Sequence, residues 1–304
     1  MTWLIVCDGD QRTGLGHIKR AQTLAGYVNR QGITCQVVGA SASATALLMN
    51  EPLTTITHTS AYQVIIFDLP YAASNLVARY AEQANYLVCL DCCSQVPVDL
   101  SLFIFLHPYQ VVDNAYVSGY QLVMIRDEFF KETITAPLTK HRVFISIGGA
   151  DIHHQSLFVA EQLLTQNCQV CVVFGELSEQ QLTSAEQMKR AQLHAQYPDQ
   201  FQYYCAPDNF ATLMNQADWC ITNGGGCLFE SLYLRKATWV LPQTDAEQRI
   251  VDDLTERQLV LGSGLLTLTP PNQAQISHQF QATQGVVEGQ GCRVIMQQIM
   301  ERCA

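Results

Sequence analysis

The chain has 304 residues, a formal charge of −10, and 48% hydrophobic but only 14% charged residues. That length suits two α/β domains better than one, and an acidic chain without a basic stripe excludes nucleic acid as an electrostatic partner. Twelve cysteines scattered through apolar runs read as strand residues of a reducing cytoplasm, so neither Cys89-Leu90-Asp91-Cys92 nor Cys168-Gln169-Val170-Cys171 is expected to bridge or hold zinc.

In chain order the first element is a strand near 2–7. Met1-Thr2-Trp3-Leu4 enters it without a basic segment or cleavage site, so neither a signal peptide nor a membrane span is expected and a cytoplasmic location follows. Asp8 and Asp10 come next, then Gly14-Leu15-Gly16-His17, which opens a helix over 17–30 with Arg20 one turn further on. The two glycines allow a tight turn and close passage past a ligand, and the unpaired N–H groups of a helix start favour an anion. A neutral imidazole at that junction can take a proton from water; it can equally cap the helix or bond a carbonyl. The spacing is not the dinucleotide fingerprint, since position 19 is Lys and no third glycine follows. Strands near 34–39, 63–67, 86–90, 102–106 and 121–125, with a helix near 72–84, complete a parallel α/β pattern. The polar run Lys131 to Lys140 contains Pro137 and reads as a linker between a domain over 1–135 and another over 141–304.

The second half restarts with a strand over 142–147, the pair Gly148-Gly149, and a helix over 153–166. Adjacent His153 and His154 point apart at a helix start and lack an acidic or His partner at i+4, so they are read as first-turn polar residues and no metal is expected. Strands near 169–174, 201–204, 218–221 and 238–241 alternate with helices near 178–195, 208–216, 226–235 and 246–257. A terminal helix near 286–302 is placed to cross back to the first domain. Thr222-Asn223-Gly224-Gly225-Gly226-Cys227-Leu228-Phe229-Glu230 again follows a strand and opens a helix. Its three glycines suit either a phosphate cradle built from backbone N–H groups or a flexible connector. Glu230 suits either a ribose diol or the positive end of the helix dipole, and Gly148-Gly149 either a ligand approach or a plain turn. Arg20, Asp8 and Asp10 can orient the imidazole or the first loop, with an ion pair the other reading of Arg20. Two open α/β domains in tandem predict two Rossmann-like domains facing a central cleft, with His17 on one wall and the glycine-rich loop on the other.

Five blocks, in order, resemble the PseG/SpsG-type family, the UDP-sugar hydrolases of pseudaminic acid biosynthesis that share the GT-B architecture of MurG-like glycosyltransferases. They are Asp8 with Gly14-Leu15-Gly16-His17 and Arg20; Asp68 and Asp91 at strand ends; Ile125-Arg126-Asp127-Glu128-Phe129; Ile145-Ser146-Ile147-Gly148-Gly149-Ala150-Asp151; and Ile221 to Glu230. The resemblance implies a GT-B fold and hydrolysis of UDP-2,4-diacetamido-2,4,6-trideoxy-β-L-altropyranose at the anomeric carbon with inversion, His17 activating water. It implies no metal and no cofactor. By the same resemblance Asp68, Tyr71, Gly148, Gly149, Gly224, Gly225, Gly226, Cys227, Glu230, Glu247 and Gln248, with Gly14, Gly16 and Asp10, bind the UDP-sugar; the sequence does not fix the oligomeric state, and a monomer is favoured. A GT-B glycosyltransferase and a nucleotide-sugar-binding relative without turnover are the alternatives. The chain departs from the family at Val6 and Asp10, at Pro70-Tyr71, at Gly226-Cys227 in place of a Ser-Thr pair, and at Glu247-Gln248 in place of Asn-Gln.

Overall fold

The computed structural model describes residues 2–48, 62–71, 74–81, 83–91, 101–106, 108, 115–137, 141–265 and 268–303. The chain divides into two compact units, Met1–Ile125 together with Glu288–Ala304, and Arg126–Val287. The break falls ahead of the polar run expected to be the linker, whose last residues Leu138, Thr139 and Lys140 lie outside the described residues.

Unit 1 is built on strands β1 (Thr2–Cys7), β2 (Thr34–Gly39), β3 (Tyr62–Asp68), β4 (Ala84–Leu90), β5 (Ser101–Phe105) and β6 (Tyr116–Ser118), with helices α1 (Gly16–Arg30), α2 (Ala42–Leu48) and α3 (Ser74–Ala81) between them. The sheet order is β2-β1-β3-β4-β5-β6, and every pair is parallel. A parallel strand covered on both faces reads as an apolar run, and β1 does beyond Thr2: Trp3, Leu4, Ile5, Val6 and Cys7 are all buried. On α1 the buried residues Ile18, Ala21, Leu24, Ala25 and Val28 repeat at the three-and-four spacing of one helical face. The chain runs outward from β1 to β2 and then returns to the other side of β1 as β3, so a topological switch point lies between β1 and β3. Cys7 pairs in register with Asp68, which brings the residues just beyond both strands to one sheet edge.

Unit 2 repeats the plan. Its elements are β7 (Arg142–Ser146), α4 (Ser156–Thr165), β8 (Gln169–Phe174), α5 (Glu176–Gln181), α6 (Ser184–Gln196), β9 (Phe201–Cys205), α7 (Phe210–Gln216), β10 (Trp219–Thr222), α8 (Gly226–Tyr233), β11 (Ala237–Val240), α9 (Asp245–Glu256), β12 (Gly262–Ser263) and α10 (Gln273–Ala282). The order β12-β11-β10-β7-β8-β9 puts the switch point between β7 and β10, where Ser146 and Thr222 pair in register. Val143, Ile145, Val170, Val172, Trp219 and Ile221 fill the core beneath it.

Helix α11 (Gly291–Cys303) belongs to unit 1. It explains why residues 121–125 are not the expected strand. They follow a 3-10 turn at Tyr120–Leu122, and a Cβ on Gly291 would lie 2.1 Å from the Val123 carbonyl oxygen, so the helix start packs directly on that backbone. The helix expected over 178–195 is two helices, because Thr183 stands in extended backbone (φ −63, ψ 160) and forms a capping box with Glu186 that starts α6 afresh. The helix expected from 153 starts at Ser156: Asp151 accepts the Gln155 and Ser156 N–H groups, leaving exposed His153 and His154 in the loop before it. Elements α2, β6, β12 and α10 carry no expectation from the sequence. The ten described cysteines are free thiols, and Cys92 of one expected strand pair lies outside the described residues. Among the described residues no helix is long and apolar enough to cross a membrane.

Candidate functional site

At the switch point of unit 1 the loop after β1 is closed on itself. Gly14 donates its N–H to the Asp10 carbonyl at 2.8 Å with φ +75, the left-handed backbone that makes this position a glycine. The Asp10 carboxylate accepts the Arg12 and Thr13 N–H groups, each at 2.8 Å, and the Thr13 hydroxyl at 3.0 Å. The Thr13 N–H above all holds its pKa below the usual carboxylate range. Asp10 thereby shapes the loop. Gly16 opens α1 with open space where a Cβ would stand, and α1 has neither a capping side chain nor an acid in its first turn.

His17 points from that helix start to the end of β3. Its Nδ1 lies 2.6 Å from Asp68 Oδ1, and since a carboxylate only accepts, Nδ1–H is the donor, which in the neutral ring leaves the lone pair on Nε2. Asp68 is fully buried while the His17 side chain remains 21% exposed. Arg20 stands one turn along and grips the same carboxylate, Nε donating to Oδ2 at 2.8 Å and Nη2 to Oδ1, while Nη1 donates to Asp91 Oδ2 at 2.6 Å. Burial pushes the Asp68 pKa up, but the positive charge of Arg20 and the neighbouring His17 outweigh it and hold the carboxyl below the ordinary range. Asp91 sits beyond β4 at φ +51 and is fixed by the Leu106 N–H at 3.0 Å. The result is a chain of contacts from Asp91 through Arg20 and Asp68 to the imidazole.

Asp8, expected beside His17, does something else. Its Oδ1 accepts the Ser41 hydroxyl at 2.6 Å and the Gly9 N–H at 2.9 Å, and its Oδ2 accepts the Tyr71 hydroxyl at 2.5 Å. Burial, and then this bond to Asp8, push the Tyr71 phenol up to about 12. Of the two roles expected of Asp8 and Asp10, orienting the imidazole or the first loop, Asp10 has the second, and it is Asp68 that bonds the imidazole. Ser41 could not be found from the sequence, since it lies in the β2–α2 loop without any motif around it.

At the switch point of unit 2 the loops after β7 and β10 meet. Gly148 has φ +66, and a Cβ there would come 3.0 Å from Asn223 Nδ2. Across the next loop a Cβ on Gly175 would lie 2.6 Å from Gly149 Cα, so Gly148 and Gly149 are held by backbone packing. In the triple glycine, Cβ atoms on Gly224 and Gly225 would lie 2.7 Å from Glu247 Cβ and 2.8 Å from Asn223 Nδ2, whereas one on Gly226 would meet open space. Only Gly226, at the start of α8, faces outward; the other two are glycine because their own loop is crowded.

The crowding residue is Glu247. Its Oε1 accepts Asn223 Nδ2 at 2.6 Å, and its Oε2 accepts the Gly224 N–H at 3.0 Å and the Gln243 N–H at 2.8 Å. Burial raises its pKa above the usual range against the pull of these donors. Glu247 thus braces the loop from behind, and the Gly224 N–H expected to cradle phosphate is already in use. Gln248 is further removed: it bonds Asp252 at 2.7 Å along the exposed face of α9. Glu230, expected at a ribose diol or at the positive end of the helix dipole, pairs with an arginine. The Glu230 side chain is 6% exposed, and both its oxygens accept from Arg126, at 2.5 Å from Nε and 2.8 Å from Nη2. Arg126 in turn lies 4.6 Å over the Phe210 ring. Cys227 lies beside this pair; burial, then the Glu230 charge, push its thiol up to about 12. Two buried polar atoms here have no partner, Thr222 Oγ1 and Asn223 Oδ1. Among the described residues no group of three or more His, Cys, Asp or Glu could hold a metal ion.

No protein-family model matches the chain. Over 149 residues it is 28% identical to an uncharacterised protein of Methanocaldococcus jannaschii, covering 47% of this chain and 30% of that protein. Over 117 residues it is 26% identical to the UDP-2,4-diacetamido-2,4,6-trideoxy-β-L-altropyranose hydrolase of Campylobacter jejuni, covering 38% of this chain and 40% of that enzyme. The matched stretches therefore span less than half of either relative. Among solved structures, MurG of Acinetobacter baumannii superposes with a TM-score of 0.63 at 12% identity, over 99% of this chain and 100% of that one. MnaA of S. aureus with UDP superposes at 0.61 and 10% identity, over 99% and 96%. The chain has the GT-B fold.

Within that fold the sequence brings out His17, Arg20, Asp68 and the glycine frame. It leaves Arg126, Asn223 and Gln243 without a role, although the structure gives all three direct contacts with expected site residues. Arg126 had a signal, an arginine inside a matched block. Asn223 is an amide whose use is decided by Glu247, 24 residues further on, and Gln243 meets Glu247 through its backbone N–H, which its side chain does not advertise.

Proposed function

We propose that the protein hydrolyses a UDP-activated diacetamido-trideoxyhexose at its anomeric carbon, releasing UDP and the free sugar with inverted configuration, as in pseudaminic acid-type biosynthesis. The observation that carries this reading is the Asp68–His17 pair: Nδ1–H is committed to a buried carboxylate and Nε2 is left as an oriented base. Water would give a proton to Nε2 as its oxygen bonds to the anomeric carbon. The bond from that carbon to the UDP oxygen breaks and its electron pair leaves with UDP. A single displacement by water inverts the carbon. Asp68 stabilises the imidazolium formed, and the proton then passes to solvent.

Unit 2 would hold the leaving group. The first-turn N–H groups of α8 at Gly226 and Cys227 have no partner within an α-helix, and open space lies beside Gly226. Partial similarity to the Campylobacter hydrolase supports the sugar, and the resemblance of the fold to MnaA bound to UDP supports the nucleotide. The test is UDP release from UDP-2,4-diacetamido-2,4,6-trideoxy-β-L-altropyranose without an acceptor, comparing the parent with His17→Asn. Release by the parent alone is expected. Release only when an acceptor sugar is added would make the protein a transferase, and binding without release would make it a non-hydrolytic relative.

A further inference from the structure

The glycine-rich loop contains its own anion. Glu247 Oε2 accepts two backbone N–H groups, from Gly224 and Gln243, in the way a phosphate oxygen is held at such loops, and Oε1 takes the Asn223 amide. We infer that Glu247 is a specificity-determining residue, a fixed negative charge that lets the loop hold a nucleotide-sugar diester while weakening its hold on free UDP. This rests on the nucleotide-sugar reading proposed above.

The chemistry that distinguishes the two ligands is one ionisation. In the nucleotide sugar the β-phosphate is a diester, whereas in UDP it is a terminal monoester with a second pKa near ~6, so the product carries almost one further negative charge at pH 8. A carboxylate behind the loop opposes that extra charge in the product alone. At an effective dielectric of about 20 and a separation of roughly 8 Å, screened by salt, the repulsion corresponds to roughly a fivefold loss of affinity. The groups whose fields reach Glu247 are His153, from the loop before α4, and Cys227 on α8, whose thiol stays protonated at that pH. All three donors around the carboxylate call for an acceptor, which is the role of the ionised form.

The charge can be removed without removing the brace. In Glu247→Gln the amide oxygen can keep both backbone N–H groups. Its NH₂ can donate to Asn223 Oδ1, which is buried and unpartnered, once the Asn223 amide turns over. Kd values for UDP and for uncharged uridine, measured by calorimetry at pH 8 on the parent and on Glu247→Gln, test the inference, with thermal melts as the check on folding. UDP is expected to bind the variant roughly fivefold more tightly or better, with uridine unchanged. Glu247→Ala, which loses charge and brace together, serves as the second uncharged variant and is also expected to tighten UDP relative to uridine. A purely structural brace predicts the opposite, weaker UDP in both variants, and that result or equal affinity overturns the inference while leaving the hydrolase reading intact. UDP bound by none of the three proteins overturns both. Tighter UDP in a protein that turns over no nucleotide sugar keeps this inference and removes hydrolysis.

Discussion

The two units solve one topological problem in two ways. Each is a six-stranded parallel sheet whose first strand has its neighbours on opposite sides, and each gathers its polar residues where the chain reverses between them. At the β1/β3 switch point the gathered groups are ionic, and among the described residues His17, Arg20, Asp68 and Asp91 are paired with one another, leaving the outer ring nitrogen of His17. At the β7/β10 switch point the gathered groups are glycines and amides, and the one carboxylate behind them is bonded to backbone. A fully paired buried network orients one proton acceptor with little freedom. A glycine loop grips through backbone donors and depends on what is missing from its side chains. Changes in unit 1 should therefore be read mainly in turnover and changes in unit 2 in binding and packing.

The His17→Asn variant should lose turnover by about a thousandfold or more, because among the described residues of unit 1 no other imidazole offers an oriented lone pair to water. Its circular dichroism and melting should change little, since the ring is partly exposed. Asp68→Asn follows. It should cut kcat by about 10² to 10⁴ through the wrong tautomer at His17, with KM less affected. It should also cost about 3 kcal/mol, because Arg20 is left over a neutral partner in a buried network. The Asp68 pKa is depressed, so its stabilisation is fully present above the ordinary Asp range near 3.8 and disappears as pH falls through the still lower folded value. A melting-temperature profile from pH 7 to pH 2 should thus lose part of its acid slope in Asp68→Asn. An unchanged slope would show that other carboxylates govern acid unfolding.

In unit 2 the largest change should come from Arg126→Met, which strands Glu230 at 6% exposure. Allowing for the partial exposure of Arg126, the expected loss is about 2 kcal/mol in urea unfolding, and Arg126→Met with Glu230→Gln should recover most of it. Next is Gly148→Ala, at about 1 to 2 kcal/mol, from a side chain at φ +66 and a Cβ pressed to 3.0 Å from the Asn223 amide. A double variant no better than Arg126→Met alone would mean that Glu230 is needed for more than its arginine.

The parts legible in the sequence were those whose cause is local. Apolar runs in β1, β3, β7 and β10 read as buried parallel strands because burial on both faces removes the polar alternation, and the helix start at Gly16-His17 was marked by glycine and by the period of α1. Asp68 was visible as a strand-end aspartate, but its bond to His17 depends on β3 returning beside β1, which no local pattern states. The same holds for Glu230 and Glu247. Each sits a short way into a helix after a plausible ligand loop, and nothing nearby shows that Arg126 or the backbone of Gly224 has already taken its oxygens. Short elements such as β12 and α2 escaped because they are too brief for a period to register; α10 escaped although Asn272 and Gln275 form a capping box at its start.

Gln248 supplies the smallest effect and separates resemblance from geometry most cleanly. Its position in the chain, next to Glu247, implied a place on the sugar or phosphate side of the ligand. Adjacent residues on α9 point in different directions, and Gln248 reaches one turn along the exposed face to Asp252. An exposed i,i+4 pair of this kind contributes about 0.2 to 0.5 kcal/mol. Gln248→Ala should therefore shift the melting temperature by no more than about a degree or two and leave KM for the nucleotide sugar unchanged. A clear rise in KM would put Gln248 at the substrate after all, and with it the start of α9, whereas an unchanged KM alongside tighter UDP in Glu247→Gln would confine ligand control on this helix to the residue that touches the loop.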